Sequence, residues 1–188
     1  MLIPFHVEKV AQAAAILLKT EDTRRMSRLR LLKLLYIADR ERMQECGRPI
    51  TGDRAVAMDH GPVLSQTYRL IRGEAMLTPQ WECYIRAHGP RDVVLIEDPG
   101  VGKLTRQEIE KLHEVAKRYE EWDDYAIATY THSFPEYKKN EPPKGSCNNI
   151  SLDDVLEATG LMPIKDRLLL DAANLDVADR LFSISERK

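Results

Sequence analysis

The chain has little of what membrane proteins and most enzymes display. Its 188 residues contain no apolar run near the roughly 18–20 residues that a membrane span needs, and the N-terminus lacks the basic region, apolar core and small-residue cleavage site of a secretory signal. Residence in the cytoplasm is the expectation. Only three cysteines occur, Cys46, Cys83 and Cys147, far apart and without a Cys-x-x-Cys pair, so neither a disulfide framework nor a thiolate zinc site is expected. The five histidines, His6, His60, His88, His113 and His132, include no pair at the spacing of a His-Glu-x-x-His helix. No Gly-x-Ser-x-Gly elbow is present. Pro99-Gly100-Val101-Gly102-Lys103 lacks both the leading spacing and the Ser or Thr after lysine that a phosphate loop requires, and is read as a connecting turn.

What is present describes an ordinary folded domain. With 43% apolar and 31% charged residues the composition is that of a globular protein, and the length suits one domain with a proper core. The formal net charge of −2 gives no general attraction to nucleic acid, but the charge is uneven. From Glu21 to Arg48 eight basic residues face five acidic ones, and from Ser151 to Lys188 eight acidic face five basic. An asymmetry this mild suits steering of a protein partner or a plain solvated surface.

Apolar spacing of three and four residues predicts a helix over 5–19 behind Pro4, and a long Leu-rich helix from an N-cap at Ser27 to about Glu45, stopped by Gly47 and Pro49. A short strand at Ala55–Asp59 follows, and Gly61-Pro62 is read as the start of a third helix that ends at Gly73. Alternation predicts strands at Trp81–Ala87 and Val93–Glu97, joined as a hairpin. Thr105 with Glu108 forms a capping box, a shorter helix starts at Asp123 or Asp124, Asn140–Asn149 is a loop, and Ser151 caps a helix ending at Gly160. Pro163 then starts a helix with Ile164, Leu168, Ala172, Leu175 and Phe182 as its stripe, which could face a partner protein, another copy of the chain, or its own core, the commonest outcome. The expected class is α+β, mainly helical, one compact domain with a small two- to three-stranded antiparallel sheet.

Asp39 lies on the apolar stripe of the second helix, among Leu32, Leu35, Tyr36 and Met43, so its carboxylate must be paired with an arginine or hydrogen-bonded by the amides of the nearby turn. Together with Asp59, His60 and His132 it defines one alternative, a metal-dependent hydrolase, provided that the side chains converge on one pocket. The basic run Arg24 to Lys33 defines another, a DNA-binding repressor, although no helix-turn-helix accompanies it.

A more specific signal is the order Lys33-x-x-Tyr36-x-Ala38, then Gly47-x-Pro49, then His60-Gly61-Pro62-Val63 followed by Tyr68, with Thr131-His132-Ser133 and Pro135 later. This pattern resembles the Panacea family, the SocA-like antitoxin domain. The likeness covers roughly Phe5 to Lys139, and Tyr137 stands near, not at, the aromatic position directly behind the family's proline. The resemblance implies a domain over 1–140, with 141–188 as a C-terminal helical extension packed on it. It further implies an antitoxin of a bacterial or phage toxin–antitoxin system that neutralises a cognate toxin by direct contact, without catalytic residues, cofactor or metal. Some relatives resemble adaptors that deliver the toxin to a AAA+ protease. The family-motif and candidate interaction residues are Lys33, Tyr36, Asp39, Asp53, His60, Gly61, Pro62, Tyr68 and His132. Within the motif, Asp39, Asp53 and His60 are the polar groups that folding alone does not explain.

Overall fold

The computed structural model describes residues 4–174. The chain runs through α1 (Val7–Leu18), β1 (Arg25–Ser27), α2 (Arg28–Cys46), β2 (Ala55–Met58), β3 (Gly61–Leu64), α3 (Ser65–Ile71), α4 (Thr78–Glu82), β4 (Ile85–His88) and β5 (Asp92–Leu95). It continues through α5 (Arg106–Arg118), α6 (Asp124–His132), α7 (Pro135–Lys139), β6 (Cys147–Asn149) and α8 (Leu152–Ala158). The fold is α+β and mainly helical, as the patterning predicts, with two three-stranded antiparallel sheets ordered β1-β5-β4 and β3-β2-β6.

The centre of the molecule is α2. Ser27 Oγ accepts from the Arg30 amide at 3.0 Å to start it, and the Gly47 amide donates to the Met43 carbonyl at 2.7 Å to end it. Leu31 through Asp39 are buried without a break, so the first turns are enclosed on every side, as only a helix surrounded by others can be. The alanines of α1, Ala11, Ala13, Ala14 and Ala15, are fully buried and let that helix pack closely against α2 and α5. The α5 helix starts with the expected capping box and ties its polar side to α2 through Lys111 and Arg118, which pair with Glu41. Gln12, buried in α1, holds the 99–103 turn by donating to Pro99 O at 3.1 Å and accepting from the Lys103 amide at 2.8 Å.

Two expectations are corrected. Gly61-Pro62 does not open a helix: residues 61–64 form β3, with Pro62 opposite Ala57, and the helix begins at Ser65. Proline is tolerated here because β3 is an edge strand and needs no amide on its free side. Trp81 lies in α4, not in a strand; only Ile85 onward pairs, because Pro79 near the start of residues 78–82 favours a helical turn. The three-residue strands β1 and β6 are too short for a period to show, and β6 lies inside the expected 140–149 loop.

The end of the chain packs inward. A 3-10 turn at Met162–Ile164 leads into helical residues 165–174, and Leu168 and Ala172 join a small cluster with Met43 of α2 and Leu156 of α8. That part of the stripe faces its own core; Leu175 and Phe182 lie outside the described residues.

One buried ion pair holds α7 to α2. Arg40 Nε donates to Glu136 Oε1 at 2.7 Å, Tyr36 Oη donates to the same oxygen at 3.0 Å, and the Arg40 guanidinium lies 4.5 Å from the Phe134 ring centre. Glu136 is 1% exposed, so removing its cation strands a charge in the interior. Arg40→Ala is expected to cost about 3 kcal/mol in a denaturant melt, whereas Arg106→Ala, which breaks an exposed pair, leaves the midpoint unchanged.

Candidate functional site

Lys33, Gly61, Pro62 and His132 meet at one seam, where α2 faces β3 and the end of α6. Lys33 is fully buried, and its ammonium group donates to the Pro62 carbonyl at 2.7 Å. Among the described residues no carboxylate lies within ion-pair distance of it. Desolvation therefore lowers its pKa to about 7. The neighbouring Gly61 has φ +91°, and a β-carbon there would sit 2.6 Å from Thr131 Oγ1, 2.9 Å from His132 Cδ2 and 3.0 Å from Lys33 Nζ. Lys33, Gly61-Pro62 and Thr131-His132, separated by about a hundred positions in sequence, are thus one packed cluster.

His132 is half-buried, with its ring stacked on Tyr137 at 4.6 Å and 22°. Burial first, and the Lys33 charge second, lower its pKa, and the edge carrying Nε2 is enclosed without a hydrogen-bond partner among the described residues. Tyr137 in turn donates its hydroxyl to the Met58 carbonyl at 3.1 Å, linking α7 to β2.

The two motif aspartates are structural ties. Asp39 accepts from the amides of Ile50 and Thr51 at 2.9 and 3.0 Å and from the Thr51 hydroxyl, so it shapes the turn after α2. Burial raises its pKa to about 7, and those hydrogen bonds oppose the rise. Asp53 accepts from the amides of Arg54, Gln66 and Thr67 and from the Thr67 hydroxyl, which caps α3 from a distance of more than ten residues. Its pKa is also raised, by desolvation. Tyr36 packs in the core, and burial together with Glu136 raises its pKa well above the usual phenol value. Tyr68 is half-buried, with the Arg72 guanidinium 5.6 Å from its ring centre. His60 is exposed at the turn between β2 and β3.

Two depressions flank the seam. One, of about 440 Å³, lies between α2 and the start of α8 and is lined by Asp39 and Asp53. The other, of about 680 Å³, is lined by Asp59, His60 and Tyr68. The hydrolase alternative needs Asp39, His60 and His132 at one pocket, and they are not there: Asp39 lines the first depression, His60 the second, and His132 lines neither. Among the described residues no three His, Cys, Asp or Glu side chains are grouped to hold a metal. The basic run is engaged in folding. Arg25 pairs with Asp92, Arg28 donates to Pro90 O, Arg30 donates to the Tyr119 carbonyl at 2.7 Å, and Lys33 is interior.

Residues 31–138 match the family described as antitoxin SocA-like, Panacea domain. The chain belongs to this family. The Panacea match opens two residues before Lys33 and closes one residue after Tyr137, so it encloses every member of the packed seam. No curated protein and no solved structure matches the chain. Sequence reasoning missed Glu136 and Arg40, although Tyr36 and Arg40, four apart on one helix face, were a legible pair seeking a common partner.

The seam predicts a contrast between glycines. Gly61→Ala is expected to destabilise the Panacea domain by about 3 kcal/mol, through backbone strain and overpacking together. Gly73→Ala, also at positive φ but with nothing within 4 Å of the new carbon, is expected to cost only about 1 kcal/mol. Urea melts of the two variants measure the difference.

Proposed function

We propose that this chain is the antitoxin of a toxin–antitoxin pair and neutralises its cognate toxin by direct protein–protein binding. Membership of the Panacea family over residues 31–138 carries the reading. The site geometry supports it from the other direction. Lys33, Tyr36, Gly61, Pro62 and His132 are engaged in holding α2, β3, α6 and α7 together, whereas His60 and Tyr68 line an open groove that can serve a partner. Residues 1–140 form the antitoxin domain and 141–188 its extension. Contacts within the described residues support this reading: β6 completes the sheet beside β2, and Lys139 of α7 pairs with Asp154 and Glu157 of α8. Among the described residues no helix is long and apolar enough to cross a membrane, consistent with a partner met in the cytoplasm.

Co-expression with the product of the adjacent open reading frame tests the proposal. That product is expected to arrest growth alone and to be harmless with this chain. Equal toxicity with and without the chain, or no toxicity at all, would refute it. Rescue that persists in cells lacking AAA+ proteases indicates occlusion; rescue lost in such cells indicates delivery for degradation.

A further inference from the structure

The larger depression has the make-up of a recognition groove. Its floor is apolar, formed by Leu32, Val63 and Ile71, all buried. Its walls carry Tyr68 and Tyr125, and Tyr125 is 68% exposed, a large aromatic ring held at the rim of α6. Tyrosine and arginine, with tryptophan, are enriched among the residues that dominate binding energy at protein interfaces. The seam beneath, through Gly61, fixes the groove's back wall.

The electrostatics of the groove select its occupant. Elsewhere several cations are held by acids: Lys9 by Glu108, Arg40 by Glu136, Lys111 and Arg118 by Glu41 and Glu114, and Lys139 by Asp154. At the groove three arginines gather from three separate elements, Arg28 from α2, Arg72 from the end of α3 and Arg91 from the β4–β5 turn. Of these, Arg72 alone pairs with a carboxylate, Glu74. Arg28 is held only by the Pro90 carbonyl, and the Arg91 side chain meets no acid among the described residues. The backbones of Arg28 and Arg91 are adjacent, since the Arg28 amide donates to the Arg91 carbonyl at 2.8 Å, and both residues line the groove. The groove's own acids do not answer them. Both oxygens of Asp59 accept from the Gly145 amide at 2.9 Å, at the β2–β3 turn, and Asp124 stands in the first turn of α6, where the helix dipole favours an anion.

We infer that this groove takes an acidic segment of the cognate toxin, one bearing a large apolar side chain for the Leu32–Val63–Ile71 floor and a carboxylate for Arg28 and Arg91. The inference rests on the antitoxin reading and adds the surface and the chemistry of the partner to it. Nucleic acid fits less well, because the floor of Leu32, Val63 and Ile71 is apolar and offers nothing to a run of phosphates.

The test uses the full chain and the purified product of the adjacent open reading frame, with binding measured by calorimetry at 50 and 300 mM salt. Arg91→Glu and Tyr125→Ala change exposed side chains, and Arg106→Glu on α5 is the control away from the groove. Arg91→Glu is expected to weaken binding at least tenfold and to flatten the salt dependence, and Tyr125→Ala to weaken it several-fold, with melting temperatures unchanged and Arg106→Glu silent. If the wild-type chain binds but both groove variants bind equally well, the groove inference is overturned while the antitoxin reading stands. An equal loss in Arg106→Glu, or saturable duplex DNA binding abolished by Arg91→Glu, also overturns it. If the wild-type chain does not bind, the antitoxin reading itself has failed.

Discussion

A single hydrogen bond from a buried amine organises this molecule. Lys33 projects from the most enclosed part of α2 and ends on the Pro62 carbonyl, a group that an edge strand would otherwise turn toward water or leave unsatisfied. A long, flexible side chain is needed to reach across from helix to strand, and a donor is needed at its tip. Lysine meets both demands, at the cost of desolvating its ammonium group. Gly61 then has to be glycine because Thr131 and His132 press against the same point, and His132 has to be backed by Tyr137 because its ring lies over the seam. Around this contact the other ties are arranged: Asp39 shapes the turn leaving α2, Asp53 caps α3, and Glu136 binds α7 back to Tyr36 and Arg40.

Seen from that seam, the family signature is a description of a scaffold. Lys33, Gly61-Pro62 and His132 fix how one helix, one hairpin and one helix end fit together, and among the described residues Asp39, His60 and His132 do not share a pocket. A domain identified by its interior is free to vary at its surface, which suits the proposed antitoxin role. The groove beside His60 illustrates the division. Its back wall belongs to the seam, whereas its rim of Arg28, Arg91 and Tyr125 is exposed or half-exposed.

Much of this was legible in the sequence where a local rule was decisive. The caps at Ser27, Thr105, Asp123 and Ser151 set helix starts that the structure keeps, because a side-chain acceptor for the first amides depends only on neighbouring residues. The need for Asp39 to be hydrogen-bonded by the following turn was likewise readable from its place on an apolar stripe. What failed depended on distant partners. Pro62 reads as a helix start until Lys33 is known to claim its carbonyl and β2 to pair with it. The basic run from Arg24 to Lys33 reads as a surface until the carbonyls of Pro90, Tyr119 and Pro62 are brought to it by the fold. His60 resisted explanation in sequence and lies at a groove, where exposure gives it no folding duty.

The claim on which the rest depends is that Lys33 is a desolvated amine held against Pro62, and its titration reports this directly. In protein labelled at the lysine side chains, the Lys33 ε-carbon and ζ-nitrogen shifts followed by NMR from pH 5 to pH 11 are predicted to show a midpoint near 7, because burial disfavours the charged form. A midpoint at the ordinary lysine value of about 10.4, shared with the surface lysines, would contradict the account.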